Sequence, residues 1–153
     1  AAAQACVGWQ GLLLDAAERS VRFAKDGMRI DLGGFAKGHA VDLAAALLAR
    51  RGVRHAWVSA GGDSRVLGDR RGRPWSVAIR DPRRPGEVVA VLPLEDTSIS
   101  TSGDYERFFI KDGVRYHHII DPRTGQPARL SRSVTLVTKP LTPPVCDTIS
   151  RPS

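Results

Sequence analysis

The sequence predicts an α+β fold in which a mostly antiparallel sheet carries one long helix. Three observations lead there. Apolar residues recur at helical spacing in one strong stretch, roughly Phe35 to Arg51, where Val41, Ala44, Leu47 and Leu48 share a stripe. Many short β-prone runs follow, each closed by a turn-forming cluster. Clusters such as Gly61-Gly62-Asp63 and Asp112-Gly113 are the length of hairpin connections. The 153 residues suit one domain, residues 1–153, with a single core.

Taken in order, the chain opens as a meander. Leu12-Leu-Leu14 and Val21-Arg-Phe23 flank a polar turn, and Lys25-Asp26-Gly27 leads into an apolar run, Met28–Leu32, which reads as a short strand. The helix comes next, with Gly52 placed as its C-cap. Strands are then expected at His55–Ala60, Arg65–Leu67, Trp75–Ile79, Val88–Leu94, Thr97–Ser100, Tyr105–Ile110, Val114–Ile120 and Ser133–Thr138. Turns between them carry Gly61-Gly62-Asp63, Asp69 through Gly72, Pro82 through Gly86, and Asp112-Gly113. Pro140, Pro143 and Pro144 mark an extended segment near the end.

Composition narrows the class of function. An apolar fraction of 42% beside 25% charged residues is that of a folded globular chain. No apolar run approaches the roughly 20 residues that cross a bilayer as a helix. The first residues, Ala-Ala-Ala-Gln-Ala, show no basic-then-apolar signal pattern. The net charge of +7 is nearly all arginine, scattered over loops and strand ends without aromatic interleaving. A solvated basic surface is expected from it, and no nucleic-acid partner. Cys6 and Cys146 are isolated and lack metal-ligand spacing. They read as small buried thiols, with a disulfide between them left open.

Four segments carry more chemistry than their turns require. Asp31-Leu-Gly-Gly-Phe-Ala-Lys-Gly-His-Ala-Val-Asp42 places two glycines and a lysine at the entrance to the helix. The first turn of a helix has N–H groups without intrahelical partners and a partial positive charge. Glycines admit a phosphate close to that backbone, and Lys37 adds a full charge, so a phosphorylated ligand is expected there. A tight connection would also use Gly33 and Gly34, and their adjacency matches neither common nucleotide fingerprint. Ser59-Ala-Gly-Gly-Asp63 ends a strand in a glycine turn bearing a carboxylate. Ser100-Thr-Ser-Gly-Asp-Tyr-Glu-Arg107 offers three hydroxyls and a glycine whose backbone and side chains can donate to an oxyanion. His117-His-Ile-Ile-Asp-Pro-Arg-Thr-Gly125 brings a histidine pair to a strand end, and His118 is the expected proton acceptor for a hydroxyl nucleophile.

In this order the four motifs resemble those of the ApbE family of FAD:protein FMN transferases. The fourth runs on as His118-Ile-Ile-Asp-Pro-Arg-Thr-Gly-Gln-Pro127, and the likeness extends from about Gly8 to Asp147. The resemblance implies an ApbE-like, T-fold-like architecture, of which this chain would be an incomplete, C-terminal portion. It implies a Mg²⁺-dependent reaction that cleaves FAD at its pyrophosphate. FMN is attached to a Thr or Ser of an acceptor protein and AMP is released. Matched by motif, Asp31, Lys37 and Ile120 are FAD-contacting positions and His118 is the base for the acceptor hydroxyl. Gly34 matches a position whose carbonyl binds Mg²⁺, and Asp147 in Val-Cys-Asp-Thr-Ile-Ser150 matches the acidic metal ligand. Oxygen donors suit that hard cation. Family members often work outside the cytoplasm, periplasmic or membrane-anchored, which the resemblance extends to this chain.

Two departures accompany the likeness. The family's second side-chain ligand, a Thr four residues after the Asp, is here Arg151, and a guanidinium cannot ligate a cation. The chain is also shorter than its relatives at both ends, so apolar surface is expected to stay uncovered and to favour a homo-oligomer.

Overall fold

The computed structural model describes residues 3–139, so Cys146, Asp147 and Arg151 lie outside the described residues. In chain order the elements are β1 (Leu12–Asp15), β2 (Ser20–Phe23), α1 (Ala36–Arg50), β3 (Ala56–Ala60), β4 (Asp63–Leu67), β5 (Trp75–Arg80), β6 (Val88–Leu94), β7 (Ser98–Gly103), β8 (Phe108–Lys111), β9 (Val114–His117), β10 (Ile120–Asp121), β11 (Gln126–Pro127) and β12 (Ser133–Thr138). Single 3₁₀ turns at Ala3–Cys6 and Trp9–Gly11 precede them. Every ladder among the described residues is antiparallel, as the hairpin-length turns predict. The chain divides into two units. One holds the chain up to Leu32 together with Asp104–Arg132, and the other holds Gly33–Gly103 and the chain from Ser133 onward.

The second unit contains the helix and a four-stranded sheet in the order β12-β7-β4-β3. Successive side chains of a strand face opposite ways, and β4 uses both faces. Arg65 reaches from one face to Asp42 of α1 at 3.2 Å. Val66, fully buried on the other face, packs with Val77 of β5, Leu94 of β6 and Ile99 of β7. The β5–β6 hairpin thus closes the apolar side of the sheet, while α1 lies over β3 and β4 and buries Val41 and Ala45. The helix stops as expected. Gly52 takes φ +83°, its N–H donates to Ala49 O, and the Val53 N–H donates to Leu48 O, both at 3.0 Å. That is a Schellman ending, which satisfies carbonyls the last turn leaves over.

The first unit is made of hairpins. β1 pairs with β2, β8 with β9, and β10 with β11. Asp112 and Gly113 close the β8–β9 hairpin at φ +50° and +72°, the left-handed pair that a two-residue type I′ turn needs. Phe109 and Tyr116, directly opposite in that ladder, stack at 5.1 Å.

Three expectations need correction. Met28–Leu32 is not a strand and pairs with none among the described residues. Met28 turns inward instead, so close to Gly11 that a Cβ there would meet its thioether sulfur at 2.7 Å. The strand expected over Val114–Ile120 ends at His117 and resumes as β10, because His118 sits in a bend. β7 runs on through the polar segment to Gly103, paired to β12 along its length.

The short β10–β11 hairpin is shaped by Asp121. Its carboxylate takes hydrogen bonds from Arg123 Nε at 3.2 Å, Nη2 at 3.0 Å and backbone N–H at 2.9 Å, while its carbonyl receives the Gly125 N–H at 2.8 Å. The Arg123 guanidinium first, and then the Arg123 amide, hold the carboxyl below the usual carboxylate range. Asp81 does the same job in the β5–β6 connection, where the Arg83 amide and then the Arg84 guanidinium lower its carboxyl.

Two outcomes test this packing. Val66→Ala should lower the unfolding free energy by about 2–3 kcal/mol, whereas Val89→Ala on the exposed side of β6 should change it by less than about 0.5 kcal/mol, both read from urea midpoints. Because folding depresses the Asp121 carboxyl, its contribution is complete above the unfolded value near 3.9 and fades as pH falls through the lower folded value. The difference in thermal midpoint between wild type and Asp121→Asn should therefore be present at pH 7 and shrink toward pH 2.

Candidate functional site

The candidate residues fall in both units. Gly34 and Lys37 belong to the unit that begins at Gly33, and Asp31, His118 and Ile120 belong to the other.

In the helix-bearing unit, Gly34 occupies the turn ahead of α1, and no atom outside its chain neighbours lies within 4 Å of where a Cβ would be. Phe35 stands at the N-cap and contributes no side-chain hydrogen bond, and no acidic residue enters the first turn. The only charge placed there is Lys37. Its ammonium donates to Gly61 O at 2.8 Å and lies 3.4 Å from Asp63 Oδ2. Gly61 and Gly62 form the two-residue connection of the β3–β4 hairpin, at φ +54° and +95°. A Cβ on Gly61 would meet Lys37 Cδ at 3.1 Å, and one on Gly62 would meet Thr101 O at 3.0 Å. The φ of Gly62 and its approach to a backbone carbonyl require glycine, while Gly61 stands at a left-handed position that glycine favours. Asp63 opens β4 opposite Ser100 of β7, whose hydroxyl donates to Asp63 Oδ1 at 2.5 Å.

Three motifs that lie apart in sequence thus meet at one ammonium. Lys37 comes from the helix entrance, Gly61 and Asp63 from the glycine turn, and Ser100 from the hydroxyl-rich strand. The expected oxyanion role of that strand is not met by its backbone. β7 is flanked by β4 and β12, and the Thr101 N–H is taken by Gly62 O at 3.0 Å. Two of its three hydroxyls are engaged too, Ser100 with Asp63 and Thr101 with Thr135 of β12 at 2.9 Å. Sequence reading singled out the Asp63 and Ser100 segments without linking either to Lys37. The signal was available in the turn, since a two-glycine hairpin puts the following carboxylate one step from where the strand reverses.

In the other unit the two adjacent histidines separate because β9 ends at His117 and His118 lies in the bend beyond it. His117 is 9% exposed, and its Nε2–H donates to Ala128 O at 2.9 Å, which makes it part of the local packing. His118 is exposed, and its Nδ1 lies 3.3 Å from Arg107 O. A carbonyl oxygen only accepts, so Nδ1 carries the proton in the neutral ring and Nε2 keeps its lone pair. The ring is therefore oriented for proton uptake at Nε2. Ile120, two residues on, is exposed in β10 beside the Asp121 turn. Asp31 lies in the irregular stretch between β2 and α1, exposed and hydrogen-bonded or ion-paired within the protein.

For a divalent ion the donor chemistry fits and the described set is short. The Gly34 carbonyl is an oxygen donor with open space around its residue, and Asp147 lies outside the described residues. Among the described residues no three His, Cys, Asp or Glu side chains gather as metal ligands.

Known proteins share this fold. The ApbE family model matches residues 1–151. An FAD:protein FMN transferase of Rhodobacter capsulatus is 48% identical over 118 residues, which are 77% of this chain and 23% of that protein. One from Treponema pallidum is 45% identical over 122 residues, covering 73% of this chain and 34% of its own. Among solved structures, the ApbE protein of Thermotoga maritima matches with a TM-score of 0.84 at 42% identity, over 90% of this chain and 45% of that one. The flavin transferase ApbE from Vibrio cholerae matches with a TM-score of 0.76 at 36% identity, over 90% and 44%. The chain thus spans less than half the length of these relatives, and within that span it carries their fold: it belongs to the ApbE family.

Proposed function

We propose that this chain is part of an FAD:protein FMN transferase that moves FMN from FAD to a Thr or Ser of an acceptor protein, with AMP as the leaving group. The observation that carries the reading is His118, an exposed imidazole whose Nδ1 is committed to Arg107 O and whose Nε2 is left as the base. The names of the Rhodobacter and Treponema relatives support it.

In this reading His118 Nε2 takes the proton of the acceptor hydroxyl as its oxygen attacks the FMN phosphorus. A P–O bond forms between the acceptor oxygen and the FMN phosphorus, the bond from that phosphorus to the bridging oxygen breaks, and its electron pair leaves on that oxygen as part of the AMP phosphate. The task of the other residues is to hold the pyrophosphate and spread its charge. Lys37 supplies a full positive charge beside the first-turn amides of α1, which are free of any acidic competitor. Asp31 accepts hydrogen bonds from the ligand, and Ile120 gives its apolar surface to it, both by motif resemblance. By motif resemblance the Gly34 carbonyl and Asp147 would hold Mg²⁺, which would supply charge neutralisation at the phosphates. A site outside the cytoplasm, periplasmic or membrane-anchored, belongs to the proposal on the same resemblance. No helix among the described residues is long and apolar enough to cross a membrane. A homo-oligomer would cover apolar side chains that α1 leaves exposed, such as Leu43 at 56% and Leu47 at 47%.

Arg151, standing where the family has its Thr ligand, favours a second reading in which the chain binds FAD without turnover. One experiment separates them. Incubation with FAD, Mg²⁺ and a Thr-bearing acceptor should give a fluorescent, covalently flavinylated band and an equivalent of AMP. His118→Ala should slow labelling by roughly 10²–10⁴-fold, the usual weight of a positioned base. Chelation of the metal should stop labelling, and added Mg²⁺ should restore it. FAD binding without AMP release would support the second reading.

A further inference from the structure

We infer that Asp63 is a positioning residue for this reaction: its carboxylate, fixed by Ser100, holds the Lys37 ammonium in the orientation that meets the FAD pyrophosphate. The inference rests on the function proposed above and concerns a residue to which the family resemblance gives no role.

A lysine in the first turn of a helix stands against the helix dipole, and its four-carbon stem ordinarily samples many rotamers. Lys37 is restrained instead. Of the three N–H donors of its ammonium, one goes to Gly61 O at 2.8 Å and a second faces Asp63 Oδ2 at 3.4 Å. The third remains for an anion, on a side chain still 49% exposed. Asp63 is far less mobile than a surface carboxylate. Its side chain is 18% exposed, it stands in β4 directly across from Ser100, and the Ser100 hydroxyl holds Oδ1 at 2.5 Å, which leaves Oδ2 for Lys37. The glycine turn completes the clamp by letting the lysine stem lie against Gly61.

The sign of one effect distinguishes positioning from plain electrostatics. Asp63 is an acid beside a cation that binds phosphate, so neutralising it strengthens the positive field and should tighten FAD binding if charge alone matters. Should Asp63 act by aiming Lys37, the same change loosens binding. Calorimetric titration with FAD at fixed ionic strength reads the difference. Asp63→Asn, which is isosteric and keeps an acceptor for Ser100, should weaken binding about three- to tenfold, a coupling typical of residues in contact. Ser100→Ala should reproduce part of that loss. Lys37→Met should cost at least as much, and adding Asp63→Asn to it should cost nothing more. Equal or tighter binding by Asp63→Asn, or losses that simply add in the double variant, overturns the inference. A ligand-free readout separates this from the transferase reading. The ¹⁵N signal of the Lys37 ammonium should be visible in wild type and lost to solvent exchange in Asp63→Asn. Its persistence in the variant overturns the hold on Lys37 whatever FAD does. Its loss in the variant, with no FAD bound by wild type, leaves the hold standing and removes the transferase reading alone.

Discussion

The tight reversal at Gly61 and Gly62 is the constraint on which the helix-bearing unit depends. Two consecutive left-handed residues fix the register of β3 against β4. The Gly62 carbonyl also takes the Thr101 N–H of β7, and beside it Asp63 stands opposite Ser100. A slip of one residue would turn Asp63 away from α1 and expose Val66, since alternate side chains exchange faces. The same two glycines therefore support the apolar side of the sheet and the polar cluster on its helical side. Neither could be adjusted without the other.

Much of the architecture was legible because its signals are local. The helix expected over Phe35 to Arg51 is α1, Ala36–Arg50, and Gly52 ends it with the backbone conformation that motivated its assignment. Asp112-Gly113 closes a hairpin as such a dipeptide should. Met28–Leu32 shows the opposite case. An apolar run has the composition of a strand, but a strand exists only with a ladder partner, which no local pattern supplies. The polar stretch from Ser100 to Gly103 failed for a related reason. Its serines and threonine suggest a loop, yet it lies between two other strands, and the Ser100 and Thr101 hydroxyls are used in cross-strand pairs.

The candidate site divides in the same way. Gly34, Lys37 and His118 stand out by motif, and the structure puts Lys37 at the helix start and His118 at a strand end. What motif cannot say is which of two adjacent histidines does chemistry. The structure separates the two: His117, the last residue of β9, is buried against Ala128, and His118 lies in the open in the bend beyond it. The pairing of Asp63 with Ser100 was illegible for a stronger reason, because it joins strands separated by the whole β5–β6 hairpin. The two Asp-Pro-Arg turns add a caution about motif reading. Asp81 and Asp121 make nearly the same bonds, but only the second follows a histidine that is free to act.

The bare start of α1 has an evolutionary consequence. An acidic or hydroxylic residue at position 35 would cap the helix and add about 1 kcal/mol of stability. Under the function proposed above it would also occupy the amides that an incoming phosphate needs, and an aspartate would repel that phosphate. Selection for robustness and selection for turnover thus pull this position in opposite directions. On that proposal, the aromatic ring that stacks on His39 and caps nothing leaves the completion of the helix to its ligand.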